Sequence, residues 1–175
     1  MKKGISKNIG ILGGTFDPPH KGHVKISLEA KKKFNLSKIF WAVTKKNPFK
    51  KKTVLTLRQR INYSKKINAK NQFIKVNCYE NRINSSKTID LIKYFKRKYK
   101  TSKIYFLMGA DNLITFHKWK SWKKIAYISE ILVFDRNGYK KKSLKSISYK
   151  KFNKKGLKFI NFKKINISSS KLRKI

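Results

Sequence analysis

Short apolar runs alternate along this chain with segments of helical periodicity, and this alternation constrains the fold more than any other feature. The runs have the length and composition of buried strands, and they cover residues 8–12, 38–43, 73–79, 103–109, 129–135 and 156–162. Between them apolar side chains recur at helical spacing, most clearly in the series Thr88, Leu91, Ile92, Phe95 and Tyr99. Strand and helix therefore follow one another along nearly the whole chain.

A repeated strand-helix-strand pattern predicts parallel strands joined by crossovers that pack on the faces of one sheet. Strands that are apolar throughout suit such a sheet, because both of its faces are covered. We predict an α/β protein with a Rossmann-like, doubly wound, mainly parallel sheet flanked by helices, forming a single domain over residues 1–175. Residues 138–155 are polar, and no regular structure is predicted for them. Ligands of such folds bind beyond the carboxyl ends of the strands.

The stretch GGTFDPPHKGH, residues 13–23, joins the first strand to the first helix and holds two of the three histidines and two of the three prolines. Gly13 and Gly14 allow the backbone to approach a ligand closely, and Thr15 offers a hydroxyl group. The amides at the start of a helix favour an anion. His20 and His23 are three residues apart and so share one side of that helix. We predict a phosphate site here.

Other interpretations of this stretch are weaker. A zinc site needs three or four ligands, and His117 is the only other histidine, while Cys78 is distant in sequence. The P-loop spacing GxxxxGK[ST] and the dinucleotide pattern GxGxxG are both absent. The histidine pair therefore indicates phosphate binding rather than metal binding or a redox dinucleotide.

The chain is strongly basic, with 47 Lys and Arg against 7 Asp and Glu and a formal net charge of +40. This charge is typical of proteins that bind nucleic acid or anionic substrates, and AT-rich coding, which favours Lys, Ile and Asn, would also produce it. A single cysteine, Cys78, excludes an intrachain disulfide, and we expect its thiol to be buried. No apolar stretch approaches the ~20 residues of a membrane span, so we expect a soluble cytoplasmic protein.

Five segments together resemble the bacterial nicotinate-nucleotide adenylyltransferases, a branch of the nucleotidyltransferase superfamily with the (H/T)xGH motif. They are GGTFDPPHKGH at 13–23, NPFK at 47–50, KTIDLI at 87–92, GADNLITFHKWKSW at 109–122 and ISSSKLR at 167–173. Leu91 and Ser170 stand where the family usually has Thr, and Ser170 keeps the hydroxyl group. The resemblance covers almost the whole chain.

The resemblance implies transfer of the adenylyl group of ATP to nicotinate mononucleotide, with release of pyrophosphate. It makes His20 and His23 the catalytic residues, which donate hydrogen bonds to the phosphates. The residues implied for ATP and phosphate binding are Gly13, Gly14, Thr15, Phe16, Gly109, Asp111, Ser169, Ser170 and Arg173. Those implied for the mononucleotide are Lys50, Thr88, Asp90 and Trp119. Mg²⁺ is expected on the phosphates, held mostly by ATP and water, and Asp17 and Asp111 are expected to hold loops.

Several alternatives stay open at this point. Trp119 could be a stacking surface or core packing, Thr88 a ligand or a helix cap, and Lys50 a ligand or a solvated lysine. A phosphopantetheine adenylyltransferase is the nearest rival, although that branch typically has Thr at the position of His20. A basic RNA-binding protein is more distant, because no RNP-type motif or zinc knuckle is present. We expect small-molecule substrates as partners, no membrane and no specific nucleic acid.

Overall fold

The computed structural model describes residues 8–47, 53–161 and 172, and these contain one six-stranded sheet. Every pairing in it is parallel, and the strand order is β3-β2-β1-β4-β5-β6. The strands are β1 (Asn8–Gly14), β2 (Leu36–Val43), β3 (Ile74–Asn77), β4 (Ile104–Gly109), β5 (Glu130–Phe134) and β6 (Leu157–Ile160). This is the order of doubly wound dinucleotide-binding folds, so the predicted architecture is confirmed.

Helices connect the strands in the predicted alternation. They are α1 (Lys21–Phe34), α2 (Leu57–Ile67), α3 (Glu80–Ile83), α4 (Thr88–Lys98), α5 (Ala110–Thr115), α6 (Trp122–Ile128), α7 (Lys140–Leu144) and α8 (Ile147–Phe152), with a short 3₁₀ turn at Phe116–Lys118. The clearest helical series in the sequence is α4, whose Ile89, Ile92 and Phe95 are buried. Its apolar stripe packs on the sheet because those positions share one helical face.

The sheet buries side chains on both faces. On one face, Ile11, Phe106 and Val133 of the central strands pack with residues of α4, α5, α6 and α8. On the other face, Trp41 and Leu107 pack with Ala30 of α1 and with neighbouring side chains of α2. Successive strand residues therefore point into opposite cores, which explains why the central strands β1, β4 and β5 are apolar without alternation.

Two sequence-based expectations were wrong. Residues 138–155 were expected to be irregular, but they contain α7 and α8, which are anchored by the buried Phe152 and by the fully buried Ser143 and Ser148. Cys78 was expected to be a buried thiol, but it follows the last residue of β3 and is only half-buried. Part of the alternating apolar run around Cys78 lies beyond the last residue of β3.

Among the residues described, no helix is long and apolar enough to cross a membrane.

Candidate active site at the carboxyl edge of the sheet

The two histidines of residues 13–23 cap the first helix. His20 is the N-cap residue of α1, and its Nδ1 accepts a hydrogen bond from the backbone N–H of Gly22 at 3.1 Å. The Nδ1 of His23 in turn accepts from the backbone N–H of His20 at 3.2 Å. This is the reciprocal pattern of a capping box, here built from two imidazoles rather than from a hydroxyl and a carboxylate. It fixes the first turn of α1 at the switch point of the sheet.

The same contacts assign the proton of each imidazole. A ring nitrogen that accepts a hydrogen bond carries no hydrogen, so each neutral ring has its N–H at Nε2. The two ring centroids are 3.8 Å apart, and His20 is 9% exposed. The cap therefore presents two neighbouring Nε2–H donors in a fixed orientation at the positive end of a helix. Such an arrangement suits the oxygens of a phosphate chain.

The ring of Phe16 packs against this pair of histidines. Its ring is 2% exposed and stacks on Trp41 with centroids 4.8 Å apart, and it also contacts His23 at 4.9 Å. Its backbone φ of 50° turns the chain sharply after β1. The side chain of Phe16 is therefore part of the core, and contact of its backbone with a ligand stays a prediction. Trp41 is fully buried and donates from Nε1 to Ser27.

Gly13 and Gly14 end β1 immediately before this turn. A Cβ atom at Gly13 would meet only the Phe106 ring at 3.7 Å, and one at Gly14 would meet the Phe16 ring at 3.4 Å. Packing alone therefore leaves room for a side chain at Gly13. The backbone carbonyl of Thr15, which follows Gly14, accepts a hydrogen bond from the guanidinium of Arg60 at 2.8 Å.

Arg60 is a site residue that the sequence analysis missed. It lies on α2, is 2% exposed, and donates to the carbonyls of Thr15, Thr44, Lys45 and Leu55. Burial lowers the pKa of this guanidinium, while the charge of Asp17 raises it. Its position between Leu57 and Ser64 on the buried face of α2 is the sequence signal that could have identified it.

Asp17 also holds the backbone near Arg60, at the residues just before α2. Its two carboxylate oxygens accept from the backbone N–H groups of Val54 and Leu55, both at 2.9 Å. The carboxylate is 2% exposed and therefore holds the segment before α2 against the connection that follows β1. The expectation that Asp17 holds a loop is confirmed.

A polar cavity of about 570 Å³ opens beyond the ends of β2 and β3. Its walls are formed by Lys45, Glu80, Asn81, Asn84, Ser85, Ser86 and Lys87. Glu80, also missed from the sequence, accepts from the Thr44 hydroxyl at 2.5 Å and from the Lys45 backbone N–H at 3.0 Å. The volume is in the usual range of small-molecule sites. Lys45 and Lys87 in its lining favour an anionic ligand, since their two positive charges exceed the single negative charge of Glu80.

Thr88 and Asp90 lie beside this cavity rather than in its lining. Thr88 is the first residue of α4, while the N-cap is Lys87, so the cap role considered for Thr88 is wrong. Asp90 accepts from the Ser85 hydroxyl at 2.8 Å, and Ser85 in turn accepts from the Lys87 backbone N–H. Asp90 therefore holds the cavity wall in shape, and direct contact of either residue with a ligand stays a prediction.

A second group lies on the other side of the switch point, after β4 and β5. Gly109 ends β4, and Asp111 pairs with the guanidinium of Arg136 at 2.5 Å. A Cβ atom at Gly109 would lie 2.5 Å from Oδ1 of Asp111, so the glycine allows the carboxylate to sit against the backbone. That Oδ1 is buried and has no hydrogen-bond partner among the described residues. Asp111 does hold a loop, as expected, and Arg136 was not predicted.

Trp119 is a half-buried member of the core cluster. Its ring packs edge-to-face on Phe106 and Phe116, with centroids 6.1 and 5.4 Å away. The indole thus contributes to core packing, which was one of the two roles considered. The stacking role is not excluded by these contacts and stays a prediction.

Four predicted site residues, Lys50, Ser169, Ser170 and Arg173, lie outside the described residues. Within 8–47 and 53–161, no group of three His, Cys, Asp or Glu side chains is arranged to hold a metal ion.

The sheet order and the histidine cap at the switch point define a doubly wound α/β protein of the nucleotide-binding type. Residues 11–175 match the cytidylyltransferase-like family. A protein of Pelagibacter ubique named "Probable nicotinate-nucleotide adenylyltransferase" is 61% identical over 167 residues, which are 95% of this chain and 92% of that protein. One of the same name from a Ruegeria species is 37% identical over 74% of this chain and 68% of its own. The chain belongs to the nicotinate-nucleotide adenylyltransferases of the cytidylyltransferase-like family.

The fold agrees with solved structures. The nicotinic acid mononucleotide adenylyltransferase of Plasmodium falciparum complexed with APC superposes with a TM-score of 0.76 at 24% identity, over 96% of this chain and 83% of that one. At this identity the likeness concerns the fold, and the residue assignments above depend on the contacts within this chain.

Proposed function

We propose that this protein transfers the adenylyl group of ATP to nicotinate mononucleotide and forms deamido-NAD. A phosphate oxygen of the mononucleotide attacks the α-phosphorus of ATP and forms the new P–O bond. The bond from that phosphorus to the bridging oxygen of the β-phosphate breaks, and pyrophosphate leaves. No protein nucleophile is required, so the protein contributes alignment and charge stabilisation.

The observation that carries this proposal is the pair of capping imidazoles. The Nδ1 atoms of His20 and His23 accept backbone hydrogen bonds at the positive end of α1, which leaves Nε2 as the protonated nitrogen of each ring. In the proposed reaction these donors bind the triphosphate and stabilise the charge that develops on the leaving pyrophosphate. Thr15 and the amides of the first turn add to this cradle. MgATP is the nucleotide substrate, with the ion carried on its phosphates and hydrated by water.

The polar cavity and the Asp111–Arg136 pair suit the mononucleotide and ATP, respectively. The cavity lined by Lys45 and Lys87 beside the start of α4 suits the pyridine carboxylate and phosphate of the mononucleotide. Oδ1 of Asp111 is a buried acceptor on the opposite side of β1 and suits a hydroxyl of the ATP ribose. Trp119 is assigned to the mononucleotide as an aromatic surface. Lys50, Ser169, Ser170 and Arg173 are assigned as further anion ligands.

The test is pyrophosphate release from MgATP with three acceptors in parallel: nicotinate mononucleotide, nicotinamide mononucleotide and phosphopantetheine. We expect kcat/KM for the nicotinate form to exceed that of the nicotinamide form by at least tenfold, because the carboxylate matches the basic cavity. His23→Ala should lower kcat by ~10²-fold. Mass spectrometry of the product identifies deamido-NAD. Equal rates with both pyridine nucleotides, or the highest rate with phosphopantetheine, would contradict the proposal.

A further inference from the structure

Arg60 is a buried charged side chain whose hydrogen bonds join two connections of the chain, the one between β1 and α1 and the one between β2 and α2. Nη1 donates to the carbonyls of Thr15 at 2.8 Å and Thr44 at 2.7 Å. Nη2 donates to Lys45, and Nε to Leu55, both at 3.2 Å. All of these acceptors are main-chain oxygens, so the guanidinium holds backbone positions rather than other side chains.

Those backbone positions belong to the two halves of the proposed site. Thr15 lies in the connection between β1 and α1, five residues before the capping His20. Lys45 lines the polar cavity, and Glu80, which also lines it, accepts from the Thr44 hydroxyl and from the Lys45 backbone N–H. Arg60 is thus the one side chain among those described above that bonds to both the phosphate connection and the cavity wall.

Because the Arg60 guanidinium is buried, its charge would be unfavourable without these hydrogen bonds. A guanidinium at 2% exposure has lost nearly all of its water, and four carbonyls replace that hydration. The carboxylate of Asp17, itself 2% exposed, balances the charge and binds the amides of Val54 and Leu55. A network in which every member is bonded has a single arrangement, and this rigidity is what an aligned pair of half-sites requires.

We propose that Arg60 is a positioning residue that sets the alignment of the phosphate connection with the mononucleotide cavity. This inference rests on the proposed adenylyl transfer. Each half-site binds its own substrate with its own groups, so loss of the guanidinium leaves both affinities largely intact. The rate of transfer falls instead, because a displacement of about 1 Å between reacting groups costs ~10²-fold in rate.

The test compares Arg60→Met and Arg60→Lys with wild type and with Arg58→Met, a matched control at an exposed arginine of the same helix. Calorimetric titration measures the dissociation constant and the stoichiometry of nicotinate mononucleotide and of a non-hydrolysable ATP analogue. Steady-state pyrophosphate release measures kcat. For Arg60→Met we expect kcat to fall at least 30-fold, with stoichiometries near one and both dissociation constants within about threefold of wild type. Arg58→Met should match wild type in every measurement.

If Arg60→Met does not fold, Arg60→Lys tests whether the guanidinium aligns the two half-sites. The lysine keeps the charge but cannot direct bonds to four carbonyls, so we expect a tenfold or larger loss of kcat with binding retained. Two results would overturn the inference: kcat of Arg60→Lys within twofold of wild type, or a loss of activity that follows a loss of binding stoichiometry. An inactive wild-type protein would instead refute the proposed function, which separates the two failures.

Discussion

Replacing His20 by Asn and by Gln separates its two roles, because each amide reproduces one side of the imidazole. The Nδ1 atom accepts from the Gly22 N–H and caps α1, while Nε2 carries the proton assigned to phosphate binding. The Oδ1 of an asparagine occupies nearly the place of Nδ1, and Asn is among the best N-cap residues. The Nε2 amide of a glutamine reaches nearly the place of the imidazole Nε2, but glutamine is a poor cap.

The magnitudes follow from these two contacts. An N-cap hydrogen bond contributes about 1 kcal/mol, which is about 2–4 °C in Tm for a protein of this size. One donor to a developing anion contributes ~10²- to 10³-fold in kcat. We therefore expect His20→Asn to melt near the wild-type Tm and to lose ~10²-fold in kcat. His20→Gln should melt about 2–4 °C lower and retain kcat within about tenfold.

Thermal melts followed by circular dichroism and kcat from pyrophosphate release provide the two measurements, both at one pH and one ionic strength. His20→Ala is the matched control, since it removes both nitrogens and should show both losses. The reasoning would be refuted by a His20→Asn variant with wild-type kcat. A Tm for His20→Asn below that of His20→Gln would equally show that Nδ1 does not cap the helix.

Three further changes test other parts of the site and fold. Trp119→Ala should raise the KM for nicotinate mononucleotide far more than that for ATP, and steady-state kinetics showing equal increases would indicate core loss alone. Gly109→Ala should raise the KM for ATP and lower stability by about 1–3 kcal/mol, because its Cβ would crowd Oδ1 of Asp111 at 2.5 Å. For Glu130, burial raises the pKa, but hydrogen bonds from Lys103 and Lys158 outweigh it and hold the pKa below 4.5. Its charge therefore stabilises the fold above pH 4.5 and that contribution fades on acidification, so the Tm of Glu130→Gln should lie below that of wild type at pH 7, and the difference should shrink as the pH falls below 4.5.

The elements of the fold were predictable because the signal was repeated along the chain. The central strands β4 and β5 are nearly continuous apolar runs, and α4 places Ile89, Ile92 and Phe95 on one face, so period and length agree. Residues 138–155 were not predictable, because their buried anchors include Ser143 and Ser148. Small polar residues in a sequence are typical of loops, and only the tertiary packing shows that these two are enclosed.

Members of the candidate site could be singled out from the sequence where a rare residue type stood at a strand end, and not where a common one did. His20 and His23 are two of three histidines, so their placement was informative. Arg60 is one of 47 basic residues, and an excess of that size conceals a single buried cation. The tautomers of the histidines required the backbone contacts of the capping box, which no sequence pattern specifies.

The strand order explains why the histidines, rather than any other pair of residues, lie where the proposed chemistry needs them. In the order β3-β2-β1-β4-β5-β6, β2 and β3 lie on one side of β1, and β4, β5 and β6 lie on the other. The cavity follows β2 and β3 on one side, and the Asp111–Arg136 pair follows β4 and β5 on the other. In the proposed reaction, the phosphates of the two substrates are the groups that extend from those places toward the end of β1. The reacting atoms then meet at the start of α1, where a helix terminus and two imidazoles already favour negative charge.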